Sequence, residues 1–363
     1  MTAVASSTRA QGTQSTEVRV MTAVASWLNQ GKDVWLCTIV KTWGSSPRQA
    51  GAVLAFQVDD GIVGSLSGGC IEEALIRQFS EQASENQSAP MQSAELYDYS
   101  ISTEDQAQYK LPCGGKILLL IERLFPVPLT LQHFNALQDK LKRQQRVSRE
   151  VMLLDGAMHL ALPAQATNKA VVEQTEQSIT TVFGPSFKML LLGAGEVSYC
   201  VANIAMSVGF SVTLCDPREA FIKGYQQTGV EVIQCLPDDL VKADFSGAYN
   251  AILALAHDPR VDDMALMEAL KTNAFYVGAM GSARTSEARR NRLLQLACSS
   301  AELRKLHSPI GINIGSKTPA EIAISVMAQV LAERNKFLGR LASEKMETLA
   351  CFSGLNAESA LSG

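Results

Sequence analysis

The residues best suited to chemistry fall in a few short runs. In the first, Leu190-Leu191-Leu192-Gly193-Ala194-Gly195-Glu196-Val197-Ser198 reads as a strand, a GxGxxS turn and the start of a helix that continues through Val201, Ile204, Ala205 and Val208. Glycines at the first two motif positions, Gly193 and Gly195, let the backbone turn tightly and approach a diphosphate, which the partial positive charge of the helix amino end attracts. Ser198 in the third slot still permits close packing of the helix. Asp216 ends the next apolar run about twenty residues on, where such folds place a carboxylate against ribose hydroxyls. The same turn also persists in folds for topological reasons alone, and Glu196 would repel a diphosphate unless it points away.

Two later strand ends aim at the same crevice: Ala256-His257-Asp258-Pro259 and Gly278-Ala279-Met280-Gly281-Ser282. Ligands in open parallel sheets bind at the carboxyl ends of the strands, which makes His257, Asp258, Gly278, Gly281 and Ser282 candidate contacts. The plainer alternative for His257 is a hydrogen-bonded loop histidine. Beyond them Arg284, Arg289, Arg290 and Arg292 share a helical stretch with Leu293, Leu294 and Leu296, which reads most simply as a solvated face. Thr318-Pro319-Ala320-Glu321 has the pattern of a capping box with proline in the first turn, and the loop before it, residues 311 to 317, could add backbone NH groups to a phosphate site.

The amino-terminal part carries three small-residue turns: Gly44-Ser45-Ser46-Pro47-Arg48, Ser67-Gly68-Gly69-Cys70-Ile71-Glu72 and Leu111-Pro112-Cys113-Gly114-Gly115. A thiol at a helix amino end has a lowered pKa, and flanking glycines such as Gly68 and Gly69 leave it accessible, so Cys70 suits a thiolate ligand or a sulfur carrier and Cys113 could share that role. The alternative for each is a small residue filling a tight turn. No histidine lies between residues 1 and 132, which excludes a Cys and His protease arrangement within this part. Cys37, Cys200, Cys215 and Cys235 sit in apolar runs and read as core residues.

These residues need elements to hold them. A helix over 18–28, strands over 34–40 and 52–58, a tight turn at Asp60-Gly61, a helix from Gly68 to about Ser80, and strands over 94–99 and 116–121 predict a smaller α+β domain at 18–125. Pro126 and Pro128 close it. Residues 126–184 read as a connector, with a helix from Thr130 to about Arg146 and a hairpin turning at Asp155-Gly156. From 185 to 339 buried strands at 188–192, 211–215, 230–234, 250–256 and 274–277 alternate with helical patterns, and a helix from Ala320 to about Leu338 follows. That alternation predicts an α/β chain whose carboxyl-terminal domain is a Rossmann-like, doubly wound parallel sheet. Residues 340–363 read as a tail.

Composition excludes several classes. Lys plus Arg total 32 against 36 Asp plus Glu, a net charge of −4 without a long basic run, so nucleic acid is not an expected partner. No stretch reaches the roughly 18 to 20 consecutive apolar residues of a membrane helix. Residues 1–17 read as a disordered lead-in without the apolar core of an export signal. The 8 cysteines show no CxxC pair or zinc spacing, and together these features predict a cytoplasmic protein with free thiols.

The three amino-terminal turns, the Rossmann segment, CDPR at 215–218, AHDPR at 256–260, YVGAMGS at 276–282 and SPIGINIGSKTPAEIA at 308–323 resemble, in order, the xanthine dehydrogenase accessory family, XdhC/CoxI, over roughly residues 18 to 335. The resemblance implies a chaperone rather than an enzyme. It would bind molybdenum cofactor, as molybdopterin or its cytosine dinucleotide, shield it during terminal sulfuration and insert it into a xanthine dehydrogenase/aldehyde oxidase-type molybdenum hydroxylase. It also implies self-association, and a cysteine desulfurase and the cytidylyl-transferring enzyme as further partners. On this reading Cys70 and Cys113 are candidate molybdenum or sulfur ligands, and the Rossmann crevice holds the nucleotide end. The sequence departs from the family at Glu196, where a histidine is usual. The main rival is an NAD(P)-dependent oxidoreductase, supported by the fingerprint and Asp216 and weakened by having no obvious proton donor except His257. A third reading is an interaction protein with a vestigial Rossmann fold.

Overall fold

The structure, a computed structural model, describes residues 15–43, 48–67, 72–73, 75–79, 93–99, 116–154, 157–161, 171–227, 229–256, 258–296 and 298–359. It divides into two compact units, meeting in sequence between Ser186 and Phe187.

In the amino-terminal unit α1 (Thr16–Asn29) starts at Ser15, whose hydroxyl accepts from the Val18 NH, and buries Val20, Val24 and Leu28, one apolar stripe at helical spacing. Strands β1 (Val34–Trp43), β2 (Val53–Gln57), β3 (Gly61–Gly64), β4 (Ser93–Tyr99) and β5 (Lys116–Leu124) form an antiparallel sheet in the order β3-β2-β1-β5-β4. Helix α2 (Pro128–Lys142) adds Phe134, Leu137 and Leu141 to the α1 core.

Residues 147–183 make a second antiparallel sheet, β7-β6-β9-β8, from β6 (Val147–Met152), β7 (Met158–Ala161), β8 (Val172–Gln174) and β9 (Ser178–Phe183). Sequence patterning yields only the β6–β7 hairpin, whose turn residues Asp155 and Gly156 lie outside the described residues. Strand β8 escapes it because it is only three residues long, and β9 because Thr180 and Thr181 interrupt its apolar residues. Val147 and Phe183 enter the α1/α2 core, while Val151 and Ile179 pack with Val40 and Leu120 of the first sheet.

A buried cation ties these layers together. Arg149 on β6 donates to both carboxylate oxygens of Glu122 on β5, at 2.8 and 2.7 Å, and through Nε to His133 Nε2 on α2 at 3.1 Å. Burial, reinforced by the Arg149 charge, holds the His133 pKa down to about 3, so the ring stays neutral and able to accept that bond.

The carboxyl-terminal unit is a six-stranded parallel sheet of β10 (Phe187–Leu192), β11 (Phe210–Cys215), β12 (Val230–Ile233), β13 (Asn250–Ala254), β14 (Tyr276–Ala279) and β15 (Leu306–His307). Their order is β12-β11-β10-β13-β14-β15. The strand runs are almost wholly apolar because both faces are covered. On one face α3 (Glu196–Ser207) supplies Val201, Ala202 and Ala205, beside Ala323, Val326, Met327 and Val330 of the last helix. On the other lie Leu240 and Val241 of α5 (Pro237–Asp244), Leu266 of α6 (Pro259–Ala269) and Leu293 of α7 (Ala283–Gln295). Short helices α4 (Glu219–Gly224) and α8 (Ser300–Leu303) complete the crossovers.

The last helix, α9 (Pro319–Ser359), does not end near Leu338 as its apolar pattern predicts. Gly339 costs a helix about 1 kcal/mol, too little to end it when the next residues are Arg, Leu, Ala, Ser, Glu, Lys, Met and Glu. Among the described residues no helix is long and apolar enough to cross a membrane.

Candidate functional site

The winding of the sheet reverses between β10 and β13, since β11 lies on one side of β10 and β13 on the other. In open α/β sheets this switch point opens a crevice at the carboxyl ends of the strands. Gly193 leaves β10 there with φ +106°, and a side chain on it would put Cβ 2.5 Å from Ala256 Cα, so only glycine lets the turn pass the end of β13. Gly195 is the amino cap of α3 with ordinary extended dihedrals, and a Cβ there would meet nothing within 4 Å. The two motif glycines therefore differ in kind: one is required by the fold, the other leaves room above a helix amino end.

Ser198 is fully buried and donates to the Gly193 carbonyl at 2.5 Å, holding the turn from below. Asp216, also fully buried, accepts from Ala194 N at 2.9 Å and from Arg218 through its backbone N (2.9 Å), Nε (2.8 Å) and NH2 (2.7 Å). Burial alone would raise its pKa, but these bonds, led by the Arg218 side chain, outweigh it and hold the carboxyl below its usual range. A ribose contact by Asp216 thus requires Arg218 to release the carboxylate.

Asp258 repeats the pattern after β13. It caps α6, accepting from Arg260 N at 3.0 Å, Nε at 3.1 Å and NH2 at 2.8 Å, and these bonds bring its pKa down to about 2. Arg218 and Asp258 feel each other's charge across the crevice. Gly278 is buried in β14, where a Cβ would strike Ile310 at 2.6 Å, so its small size serves packing. Ser282 caps α7, accepting from Thr285 N at 3.2 Å. A Cβ on Gly281 would meet the Thr285 hydroxyl at 2.6 Å. His257, Gly68, Gly69, Cys70 and Cys113 lie outside the described residues. Among the described residues no group of three His, Cys, Asp or Glu side chains could hold a metal.

The arginine-bearing helix is not the solvated face its sequence suggests. Arg289 is buried, donating to Asp263 at 3.1 Å, Asp262 at 3.2 Å and the Met280 carbonyl at 2.9 Å, while Arg290 caps the carbonyls of Leu303 and Leu306. Arg289 pins α6 and α7 to the end of β14. Asp262 also accepts from Ala256 N at 3.3 Å, and burial pushes its pKa up to about 6 although Arg289 opposes the shift. Thr318 and Glu321 do form the expected capping box, each accepting from the other's NH.

In the amino-terminal unit sequence reading passes over Glu72 as a helix residue. Its buried carboxylate accepts from Ser65 Oγ at 3.0 Å, from Leu66 N and Ser67 N at 2.8 Å each, and from Ser67 Oγ. Burial would raise its pKa, yet the bonds from Ser67 and Leu66 prevail and hold it far below the usual carboxylate range. Glu72 thereby holds the segment Ser65-Leu66-Ser67 that follows β3; the SLS…E spacing was the available signal.

One more feature adjoins the glycine turn. Beside the amino end of α3, a cavity of about 600 Å³ is lined by Ala194, Gly195, Glu196 and Tyr199 and, from α4 and the residues after it, by Ala220, Phe221, Gly224, Tyr225 and Gln226.

A six-stranded parallel sheet with this order and a glycine turn at its switch point defines a Rossmann-type domain. The chain belongs to the XdhC and CoxI family: that family's profile matches residues 27–97, the XdhC Rossmann domain matches residues 189–330, and the two cover more than half of the chain. It is similar to a probable xanthine dehydrogenase subunit of Bacillus subtilis (strain 168), 26% identical over 337 residues that span 87% of this chain and 97% of that protein. It is similar also to the molybdenum cofactor insertion chaperone PaoD of Escherichia coli (strain K12), 24% identical over 307 residues, 85% of each chain. The crystal structure of a xanthine dehydrogenase from Bacillus halodurans shares the fold, with a TM-score of 0.65 at 24% identity over 89% of this chain and 96% of that one.

Proposed function

We propose that the protein is a molybdenum cofactor insertion chaperone that holds its cargo, molybdopterin or the cytosine dinucleotide form, supports sulfuration and delivers it to a xanthine dehydrogenase-type client. The observation that carries this reading is the similarity to the insertion chaperone PaoD, which extends over 85% of both chains and so through both units. The carboxyl-terminal crevice fits the nucleotide end of such a cargo: Gly195 leaves space at the amino end of α3, where a diphosphate is favoured. Gly193 and Ser198 shape the turn, Asp216 fastens it to β11, and Asp258 and Ser282 cap the helices that follow β13 and β14. Cys70, Cys113 or both supply the thiol side, with Glu72 holding the segment Ser65-Leu66-Ser67 that follows β3. Scattered single cysteines suit a reducing cytoplasm.

The test is elemental and nucleotide analysis of protein purified from cells with an active molybdenum cofactor pathway, wild type against Cys70→Ala. Molybdenum accompanied by acid-released CMP, and less of both in the variant, is the expected result. Bound NAD without molybdenum would overturn the chaperone reading in favour of an oxidoreductase.

A further inference from the structure

We propose that the cavity between α3 and α4 is the base subsite of the crevice, and that it takes a nucleoside diphosphate whose base carries an exocyclic amino group. The inference rests on the glycine turn being a diphosphate site. Its volume, about 600 Å³, lies in the range of small-ligand pockets. Its walls are aromatic in a chain with only 6% aromatic residues. Phe221 and Tyr199 leave 46% and 40% of their surface in solvent, and both line this one cavity. Single exposed apolar residues are ordinary, but rings gathered around a cavity beside a helix amino end form a platform on which a planar base stacks.

The wall is held in place by its own contacts. Tyr225 meets Tyr199 edge-on at 6.1 Å between centroids and donates its hydroxyl to Gln227 Oε1, while Gln227 Nε2 donates to the Tyr199 carbonyl at 3.1 Å. Arg218 lies 3.9 Å over the Phe221 ring, so the cation that engages Asp216 also borders the platform.

Glu196 gives the subsite its selectivity. It lines the cavity together with Tyr199, one helical turn on along α3, and Tyr225. A carboxylate only accepts hydrogen bonds: it pairs with the amino group of cytosine or adenine and meets the carbonyl edge of uracil with repulsion. The diphosphate then lies on the Gly195 side, away from this charge, which removes the conflict that an acid beside GxG otherwise poses.

The experiment is calorimetric titration of the full-length protein with CDP, UDP and inorganic pyrophosphate, for wild type, Glu196→Gln and Phe221→Ala, with thermal melts to verify folding. Wild type is expected to bind CDP about tenfold tighter than UDP, as one carboxylate-to-amino contact allows. Glu196→Gln should bring the two within about threefold, and Phe221→Ala should weaken both about tenfold while leaving pyrophosphate unchanged. Equal binding of CDP and UDP by wild type, or nucleotide binding indifferent to both substitutions, overturns the base subsite. If pyrophosphate and both nucleotides all fail to bind, the diphosphate reading of the crevice falls with it. If the nucleotides behave as expected while no molybdenum is recovered from cells, the subsite stands and the chaperone function falls.

Discussion

The two Asp-Pro-Arg turns that face each other across the crevice share one tripeptide and one internal hydrogen-bond pattern, and they differ in burial. Asp216 is fully buried with its Arg218 side chain 31% exposed, whereas Asp258 is 19% exposed and Arg260 is 90% exposed. At the buried turn the carboxylate also takes the Ala194 NH and so fastens the glycine turn to β11. At the exposed turn it caps α6. The same residues thus do different work: one turn is part of the frame of the crevice, the other finishes a helix at its rim. Low dielectric strengthens the first and solvent screens the second.

The frame should be the more fragile half, beginning with its glycine. In Gly193→Ala the new methyl group meets Ala256 backbone at 2.5 Å and the residue must hold a positive φ. Left-handed strain and overpacking together predict a loss of about 4 kcal/mol in the carboxyl-terminal unit. Gly195→Ala, two residues on, should fold normally, since nothing lies within 4 Å of its Cβ, and lose only diphosphate binding. Urea denaturation and pyrophosphate titration of both variants separate the two roles; a stable Gly193→Ala protein would break the distinction.

Asp216→Ala follows in size. It leaves Arg218 without its carboxylate and the Ala194 NH without its acceptor, a buried-pair loss of about 3 kcal/mol, at the low end because Arg218 reaches solvent. The midpoint of urea unfolding, at unchanged slope, is the measurement. A change of a few tenths would mean that burial does not distinguish the turns.

Much of this frame was legible in the sequence. Apolar strands alternating with helical patterns, GxGxx and an acid at the next strand end specify the doubly wound sheet, because each is a local signal of backbone geometry. What Asp216 does with its carboxylate was not legible. A ribose contact and a bond to Arg218 demand the same residue at the same place, and only the position of the guanidinium decides between them. Arg289 was missed for a related reason: a charged residue on an otherwise polar helix reads as solvated until its partners Asp262 and Asp263, 27 and 26 residues earlier, are brought beside it. The cavity wall of Tyr199, Phe221 and Tyr225 is likewise assembled from α3, α4 and the residue after α4, and leaves no contiguous motif.

Asp262 offers a pH test of the same contrast between buried and exposed carboxylates. Its folded pKa of about 6 lies above the unfolded value, so the folded state holds an extra proton between about pH 4 and 6. Its contribution to stability is full below that window and is lost as pH rises through it, with a slope of at most about 1.4 kcal/mol per pH unit. Asp258 has the opposite sign: its pKa of about 2 means stability present above about pH 4 and lost as pH falls toward 2. Unfolding midpoints from pH 4 to 7 should therefore show a decline that Asp262→Asn flattens and Asp258→Asn leaves in place. A decline unchanged by Asp262→Asn would assign the proton elsewhere.

The smallest effect should come from Asp258→Ala. The substitution removes the α6 cap and the partner of a solvent-exposed arginine, yet Pro259 still presets the first helical turn and water can replace the carboxylate at the Arg260 NH. Its shift in urea midpoint should be well under half that of Asp216→Ala, and added salt should shrink it further by screening the Asp258–Arg260 pair. Asp258→Ser, which keeps a capping oxygen without the charge, should recover most of the loss. Full recovery assigns the residue to the helix end. No recovery would mean that the charge itself matters at the rim, through Arg218 across the crevice, and the two Asp-Pro-Arg turns would then be one electrostatic unit rather than a frame and a cap.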